Sequence, residues 1–153
     1  LRKTSALGET SAQALTDASA ETAIRDRHAG TRVLLAEDEP INQEVSRTLL
    51  EDAGLVVDLA EDGVEAIEMA RARRYDLILM DMQMPRKNGI DATLAIRADS
   101  LNRDTPILAM TANAFEDDRR ACLDAGMNDH IAKPIQPERL YAILLSWLDP
   151  QTT

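Results

Sequence analysis

Four groups of residues in this 153-residue chain are of types that handle phosphate and metal, and each stands at the end of an apolar run. Glu37-Asp38-Glu39 follows Val33–Ala36, Asp81 closes Leu77–Met80, Thr111 closes Ile107–Met110, and Lys133-Pro134 follows Ile131-Ala132. Carboxylates gathered in one place repel unless a cation joins them or one keeps its proton. A hard divalent ion that prefers oxygen, Mg2+ or Mn2+, is the natural partner. Mg2+ combines one or two carboxylates with phosphate oxygens, which points to phosphate chemistry. An aspartate can itself be the nucleophile and form an aspartyl phosphate. Phosphoryl transfer depends mainly on positioning and charge neutralisation. The Lys133 ammonium and the Thr111 hydroxyl would each take a phosphoryl oxygen, and the backbone N–H groups of Met82 and Ala112 would complete the cradle.

Taken singly, each group has an ordinary role. The acidic triplet suits a solvated turn before a helix, Asp81 a turn before Pro85, Thr111 a helix cap and Lys133 a surface position. What joins them is the architecture the rest of the chain predicts. Arg32–Ala36, Leu55–Ala60, Asp76–Met80, Pro106–Met110 and Asp129–Ala132 read as five short strands. Between them lie helical stretches. Pro40 opens the first, which carries Ile41, Val45, Thr48, Leu49 and Ala53 on one face and stops at Gly54. Asp62 caps the second, over Gly63–Arg73. The third, Gly89–Ala98, spaces Ile90, Thr93, Leu94 and Arg97 helically, and the fourth covers Ala114–Ala125. Pro137 opens the last, with Leu140, Ile143, Leu144 and Trp147 inward. Alternating strands and helices imply right-handed βαβ units and a parallel sheet covered on both faces. In such a sheet all strand ends point one way, so the four groups meet in one crevice, where open parallel sheets bind ligands.

Composition narrows the function further. The apolar fraction is 44% but aromatics are 3%, so the core is aliphatic. Net charge is −10, and residues 1–30 hold four basic and four acidic side chains, leaving 13 basic against 23 acidic in residues 31–153. A folded part this acidic repels phosphate backbones, which argues against nucleic-acid binding. The single Cys122 permits no intrachain disulfide, in keeping with a reducing cytoplasm. No apolar run approaches a membrane span, so no direct membrane contact is expected. Residues 1–30, rich in Ala, Ser and Thr, read as a linker or disordered tail with transient helix around Ala12–Arg25, and His28 as a solvated linker residue. Residues 31–150 read as the folded domain. The Leu start fits a piece of a longer protein.

The segments Val33-Leu34-Leu35-Ala36-Glu37-Asp38-Glu39, Leu79-Met80-Asp81-Met82-Gln83-Met84-Pro85, Ile107-Leu108-Ala109-Met110-Thr111-Ala112 and Ile131-Ala132-Lys133-Pro134 resemble the four signature blocks of response-regulator receiver domains. The resemblance covers residues 31–149. It implies an α/β, flavodoxin-like doubly wound (βα)5 sandwich with strand order 2-1-3-4-5. It implies that Asp81 accepts a phosphoryl group from a phosphohistidine-bearing kinase or a histidine phosphotransfer domain. Glu37, Asp38 and Asp81 would hold Mg2+ together with the backbone carbonyl of Gln83. Thr111 matches the switch hydroxyl and Lys133 the family lysine, with a cis peptide expected between Lys133 and Pro134. Where receivers often carry a switch Tyr or Phe, three residues before the lysine, this chain has His130, a smaller ring that titrates near neutrality. The family also implies that partners, or a second copy of the chain, read the face formed by the fourth helix, fifth strand and last helix. Asn42-Gln43 and Gln83-Met84-Pro85 look most like receivers of hybrid sensor histidine kinases. A stand-alone response regulator is the nearest alternative. An aspartyl phosphatase wants a second Asp two residues after the nucleophile, where this chain has Gln83. A flavin-binding relative lacks support, because aromatics are few and a Gly-rich phosphate loop is missing.

Overall fold

Short runs of Leu, Ile, Val, Met and Ala set the sheet, because only a strand buried on both faces suits side chains that are apolar without alternation. The computed structural model describes residues 20–82, 84, 86–111 and 116–149, the side chains of 116–119 excepted. Five strands, β1 (Arg32–Ala36), β2 (Val56–Ala60), β3 (Leu77–Asp81), β4 (Ile107–Thr111) and β5 (Asp129–Ala132), pair in parallel in the order β2-β1-β3-β4-β5. This is the expected flavodoxin-like order. Every residue of β3 and β4 is buried, as befits the strands nearest the middle of the sheet.

The helices cover both faces. In chain order they are α1 (residues 20–28), α2 (Pro40–Asp52), α3 (Gly63–Ala72), α4 (Gly89–Ala98), α5 (Glu116–Ala125) and α6 (Pro137–Leu148). Strand period two divides the core. Val33, Leu35, Leu77 and Leu79 pack with α1, α2 and α6, whereas Leu34, Ile78 and Met80 pack with α3, α4 and α5. Among the described residues no helix is long and apolar enough to cross a membrane.

Three expectations need correcting. The linker reading fails for residues 20–28, which form a helix docked on the domain. Ile24 is fully buried against Leu50, Ala53, Leu140 and Leu144. The Arg25 guanidinium donates to the Asp52 carbonyl from Nε at 3.2 Å and Nη2 at 2.8 Å, and so caps the end of α2. His28 is not solvated: its Nε2 lies 2.7 Å from Oδ1 of Asp149, the residue capping α6. Second, α2 is turned part-way from its expected face. Ala53 is buried and Leu49 packs on the core as expected, but Ser46 and Leu50 take the inner positions, while Ile41 is 70% and Val45 44% exposed. Third, α4 buries Ala92, Thr93 and Ile96, and Leu94 points outward. In both helices small residues on the inner face bring the backbone close to the sheet, a geometry that counting large apolar residues misses.

The polar loop after α4 hides an anchor. Asn102 is fully buried; its amide donates to the carbonyls of Ala70 and Arg73, and its oxygen accepts from the Tyr75 N–H at 2.7 Å. Arg97 donates to the carbonyls of Gly126, Asn102, Arg103 and Thr105, tying α4 to the turns below β4 and β5.

Candidate active site

The acidic triplet is shaped by the start of α2. Glu39 is the helix cap, accepting the Asn42 N–H at 2.8 Å, and Pro40 holds the first helical position. The Glu39 N–H donates to Glu37 Oε2 at 3.2 Å, and the Gln43 side-chain amide donates to the Glu37 carbonyl at 2.7 Å. These bonds hold Glu37 inward, 1% exposed, and leave Asp38 facing solvent.

Asp81 is the last residue of β3 and is itself buried. Carboxylate oxygens of Glu37, Asp38 and Asp81 lie within 4.8 Å of one another. The Lys133 ammonium reaches over from the end of β5, 3.1 Å from Asp81 Oδ2 and 3.3 Å from Glu37 Oε1. The second contact lacks hydrogen-bond geometry, so Glu37 Oε1 is a buried oxygen with no hydrogen-bond partner. Burial first, then the hydrogen bond and like charge of Asp81, push the Glu37 carboxyl above its ordinary value. Burial draws the Lys133 ammonium down, but Asp81 and Glu37 together more than offset this and hold it above its usual value.

Thr111 ends β4 as a buried residue, and its carbonyl accepts the Lys133 N–H at 2.9 Å. The Lys133–Pro134 bond is cis. His130 sits on β5 opposite Ala109, partly exposed, beside a small cavity of about 80 Å3 that Cys122, Leu123, Asn128 and Asp129 also line. Trp147 donates from Nε1 to Asp129 Oδ2 at 3.0 Å, which ties α6 to this edge of the sheet.

The sheet therefore brings together Glu37, Asp38, Asp81 and Lys133, with Thr111 one strand away. One expected donor is already engaged: the Met82 N–H donates to the Met110 carbonyl at 3.1 Å, continuing the ladder beyond Asp81. A phosphoryl oxygen would have to share or replace the Met110 carbonyl at this N–H. Gln83 and Ala112 lie outside the described residues.

Three carboxylates, one with a buried oxygen that makes an ion pair with Lys133 but no hydrogen bond, fit a hard divalent cation, which takes such ligands. A carboxylate with an ammonium beside it can also act as a nucleophile towards phosphorus, with the ammonium offsetting the negative charge of the incoming group.

Sequence reasoning missed the residues that hold the loop after Asp81. Arg86 has a left-handed backbone, φ 66°, and its Nε donates to Asp62 Oδ2 at 2.8 Å. Gly63 and Gly89 are required by close approach. A Cβ on Gly63 would strike the Lys87 carbonyl, and one on Gly89 would strike the carbonyl of Asp81. A glycine just after the Asp62 cap and another at the start of α4 were the available signals.

Comparison with known proteins agrees with this arrangement. The model of the response regulator receiver domain matches residues 33–145. The sensor protein GacS of Pseudomonas syringae pv. syringae is 41% identical over 119 residues; the match covers 76% of this chain but only 13% of that protein. Among solved structures, the receiver domain of sensor histidine kinase PA1611 from Pseudomonas aeruginosa PAO1, with a magnesium ion coordinated in its active site cleft, is 47% identical. Its TM-score is 0.74, covering 78% of this chain and 98% of that one. The receiver domain of Ssk1, co-crystallised with the histidine phosphotransfer protein Ypd1 of Saccharomyces cerevisiae, is 29% identical with a TM-score of 0.72, covering 78% and 89%. With the fold, the strand-end carboxylates and the family match in agreement, the chain belongs to the response regulator receiver domain family.

Proposed function

We propose that Asp81 is the phosphoacceptor of a two-component phosphorelay. A carboxylate oxygen of Asp81 attacks the phosphorus of a phosphohistidine on a partner protein. The O–P bond forms, the P–N bond breaks, and the departing imidazole takes up a proton. The observation that carries this reading is the convergence of Glu37, Asp38 and Asp81 within 4.8 Å with the Lys133 ammonium 3.1 Å from Asp81. Lys133 offsets the charge of the incoming group, and the Thr111 hydroxyl donates to a phosphoryl oxygen once it arrives. Ala112 would add a backbone donor. Glu37, Asp38 and Asp81, with the Gln83 carbonyl, would hold Mg2+. When bound, that ion neutralises and orients phosphoryl oxygens.

The PA1611 receiver, with magnesium in its cleft, supports the choice of ion. The Ypd1–Ssk1 pair supports a histidine phosphotransfer protein as one partner class, beside the phosphohistidine domain of a kinase. The likeness to hybrid signal transduction histidine kinase I of Dictyostelium discoideum, 39% identical over 120 residues, supports a hybrid histidine kinase as the parent chain; the domain would act on the cytoplasmic side. The face of α5, β5 and α6, including His130, would carry the signal to partners or to a second copy. Phosphorylation adds nearly two negative charges and strong acceptors, which Thr111 and Lys133 can follow.

The test is labelling by a small acyl phosphate and by phosphohistidine proteins. Wild-type protein should take up one phosphoryl group in a Mg2+-dependent reaction, and the product should be cleaved by hydroxylamine. Asp81→Asn should abolish labelling; undiminished labelling in that variant would remove the assignment.

A further inference from the structure

The loop that follows the nucleophile is held from the side by a different part of the fold. Asp62 caps α3: its Oδ1 accepts the Glu65 N–H at 2.8 Å, and its Oδ2 accepts from Arg86 Nε at 2.8 Å. The Asp62 side chain is 12% exposed and the Arg86 side chain 57%, so the carboxylate is largely covered while the guanidinium reaches it from the solvent side. Arg86 holds the left-handed conformation that side chains rarely adopt, which requires something to keep it there. The next residue, Lys87, lies with its carbonyl against Gly63, so close that a side chain on Gly63 would collide with it. Two residues on, the Gly89 N–H donates to the Met82 carbonyl at 3.1 Å, and Gly89 packs directly on the carbonyl of Asp81. An unbroken line of contacts thus runs from the cap of α3 through residues 86–89 to the backbone of Asp81.

We propose that Asp62 and Arg86 are positioning residues for the phosphoacceptor. Their pair fixes residues 86–88 against the start of α3, and Gly89 transmits that fixed position to the backbone that carries the Asp81 carboxylate. This rests on Asp81 being the phosphoacceptor. The geometry of the three carboxylates is sensitive to small backbone shifts, since sub-ångström changes alter metal coordination and attack geometry. The pair also explains why α3, which brings no residue of its own to the cluster, matters to the site: it is the fixed body against which the loop is braced. The low pKa of Asp62, set first by its Arg86 bond and then by the Glu65 N–H, agrees with a carboxylate that stays charged for this task.

The experiment compares Arg86→Ala, Arg86→Lys, Asp62→Asn and the double variant Arg86→Ala/Asp62→Asn in the full chain. Asp62→Asn keeps an efficient helix cap while losing the charged partner. Two readouts are taken: the half-saturating Mg2+ concentration of unphosphorylated protein, fitted from the logarithmic rise of melting temperature with Mg2+, and the Mg2+ dependence of labelling by acetyl phosphate. Arg86→Ala and Asp62→Asn should each raise the half-saturating Mg2+ concentration roughly tenfold, the low end for loss of an outer partner of a metal site. Final labelling should be unchanged. The double variant should be no worse than either single one, because one interaction is being removed. Arg86→Lys should recover most of the loss. Variants that lower the melting temperature yet leave the half-saturating Mg2+ concentration at the wild-type value would overturn the inference. If wild-type protein takes no label at all, the phosphoacceptor reading fails. The positioning role is then judged on the thermal Mg2+ titration alone, where an unchanged half-saturating concentration rejects it.

Discussion

Lys133 faces two carboxylates that the fold has largely taken out of water, Asp81 at 3.1 Å and Glu37 at 3.3 Å. Removing one partner of such a group leaves the others uncompensated, which is far costlier than removing a surface ion pair. Lys133→Ala should therefore destabilise the protein in chelator by about 1–3 kcal/mol, less than a fully enclosed pair because the lysine keeps some solvent. Saturating Mg2+ should restore more stability to this variant than it adds to wild type, since the ion replaces the missing positive charge. Urea unfolding with and without Mg2+ measures both. An equal Mg2+ increment in the two proteins would show that ammonium and metal do not share the carboxylates. The residues of this cluster were legible in the sequence because each closes an apolar run, so topology alone brings them together. Arg86 and Asp62 were not legible: 24 positions separate them, and their contact depends on how two loops lie side by side. The Met82 N–H shows the opposite limit, since a backbone donor reads as free until the ladder that uses it is seen.

The element that departs most from expectation is α1. Residues 1–30 carry few large apolar side chains, and spacing them on a helix gives no wide stripe. One of them suffices here with the small Ala20, because Ile24 is fully buried in the same core cluster as Leu50 and Ala53 from the end of α2 and Leu140 and Leu144 from α6. Ile24→Ala should cost about 2–5 kcal/mol, the usual range for emptying a fully enclosed site of this size. Chemical denaturation measures it, and a loss near zero would return residues 20–28 to the status of a tail. The charged partners of α1 have a matching logic. Neither α2 nor α6 has a basic residue in its last turn. Arg25 supplies the cation at the end of α2, and Arg27 at the end of α6. The number and order of the strands and helices were legible from hydrophobic runs, Pro and Gly. Which face α2 and α4 present was not, because Ser46, Ala92 and Thr93 mark the buried side with small residues.

Across the whole molecule, the two tyrosines report on opposite faces of the sheet. Tyr141 lies in the core under α1, α2 and α6, its hydroxyl donating to the Leu49 carbonyl at 2.8 Å. Tyr75 lies in the other core, bonded to Asp58 at 2.9 Å. Burial, aided in Tyr75 by the Asp58 bond and charge and in Tyr141 by Glu21 and Asp52, pushes both phenols up to about 12. The native protein thus keeps two protons that the unfolded chain gives up near pH 10. Stability should fall as pH rises through the window between 10 and 12 and be insensitive to these groups below it. Absorbance of phenolate, followed with far-ultraviolet circular dichroism, should show no ionisation near pH 10 in folded protein and both tyrosines ionising there in denaturant. Native phenolate at pH 10 would mean that at least one face is open. The two cores also differ in how they close. The Arg25–Asp52 contact between α1 and α2 spans 27 positions, but the His28–Asp149 contact spans 121. Closing so long a loop is entropically slow compared with local contacts. The contacts that His28 and Arg27 make with Asp149 therefore need α6 in place, so the docking of α1 depends on the far end of the folded unit.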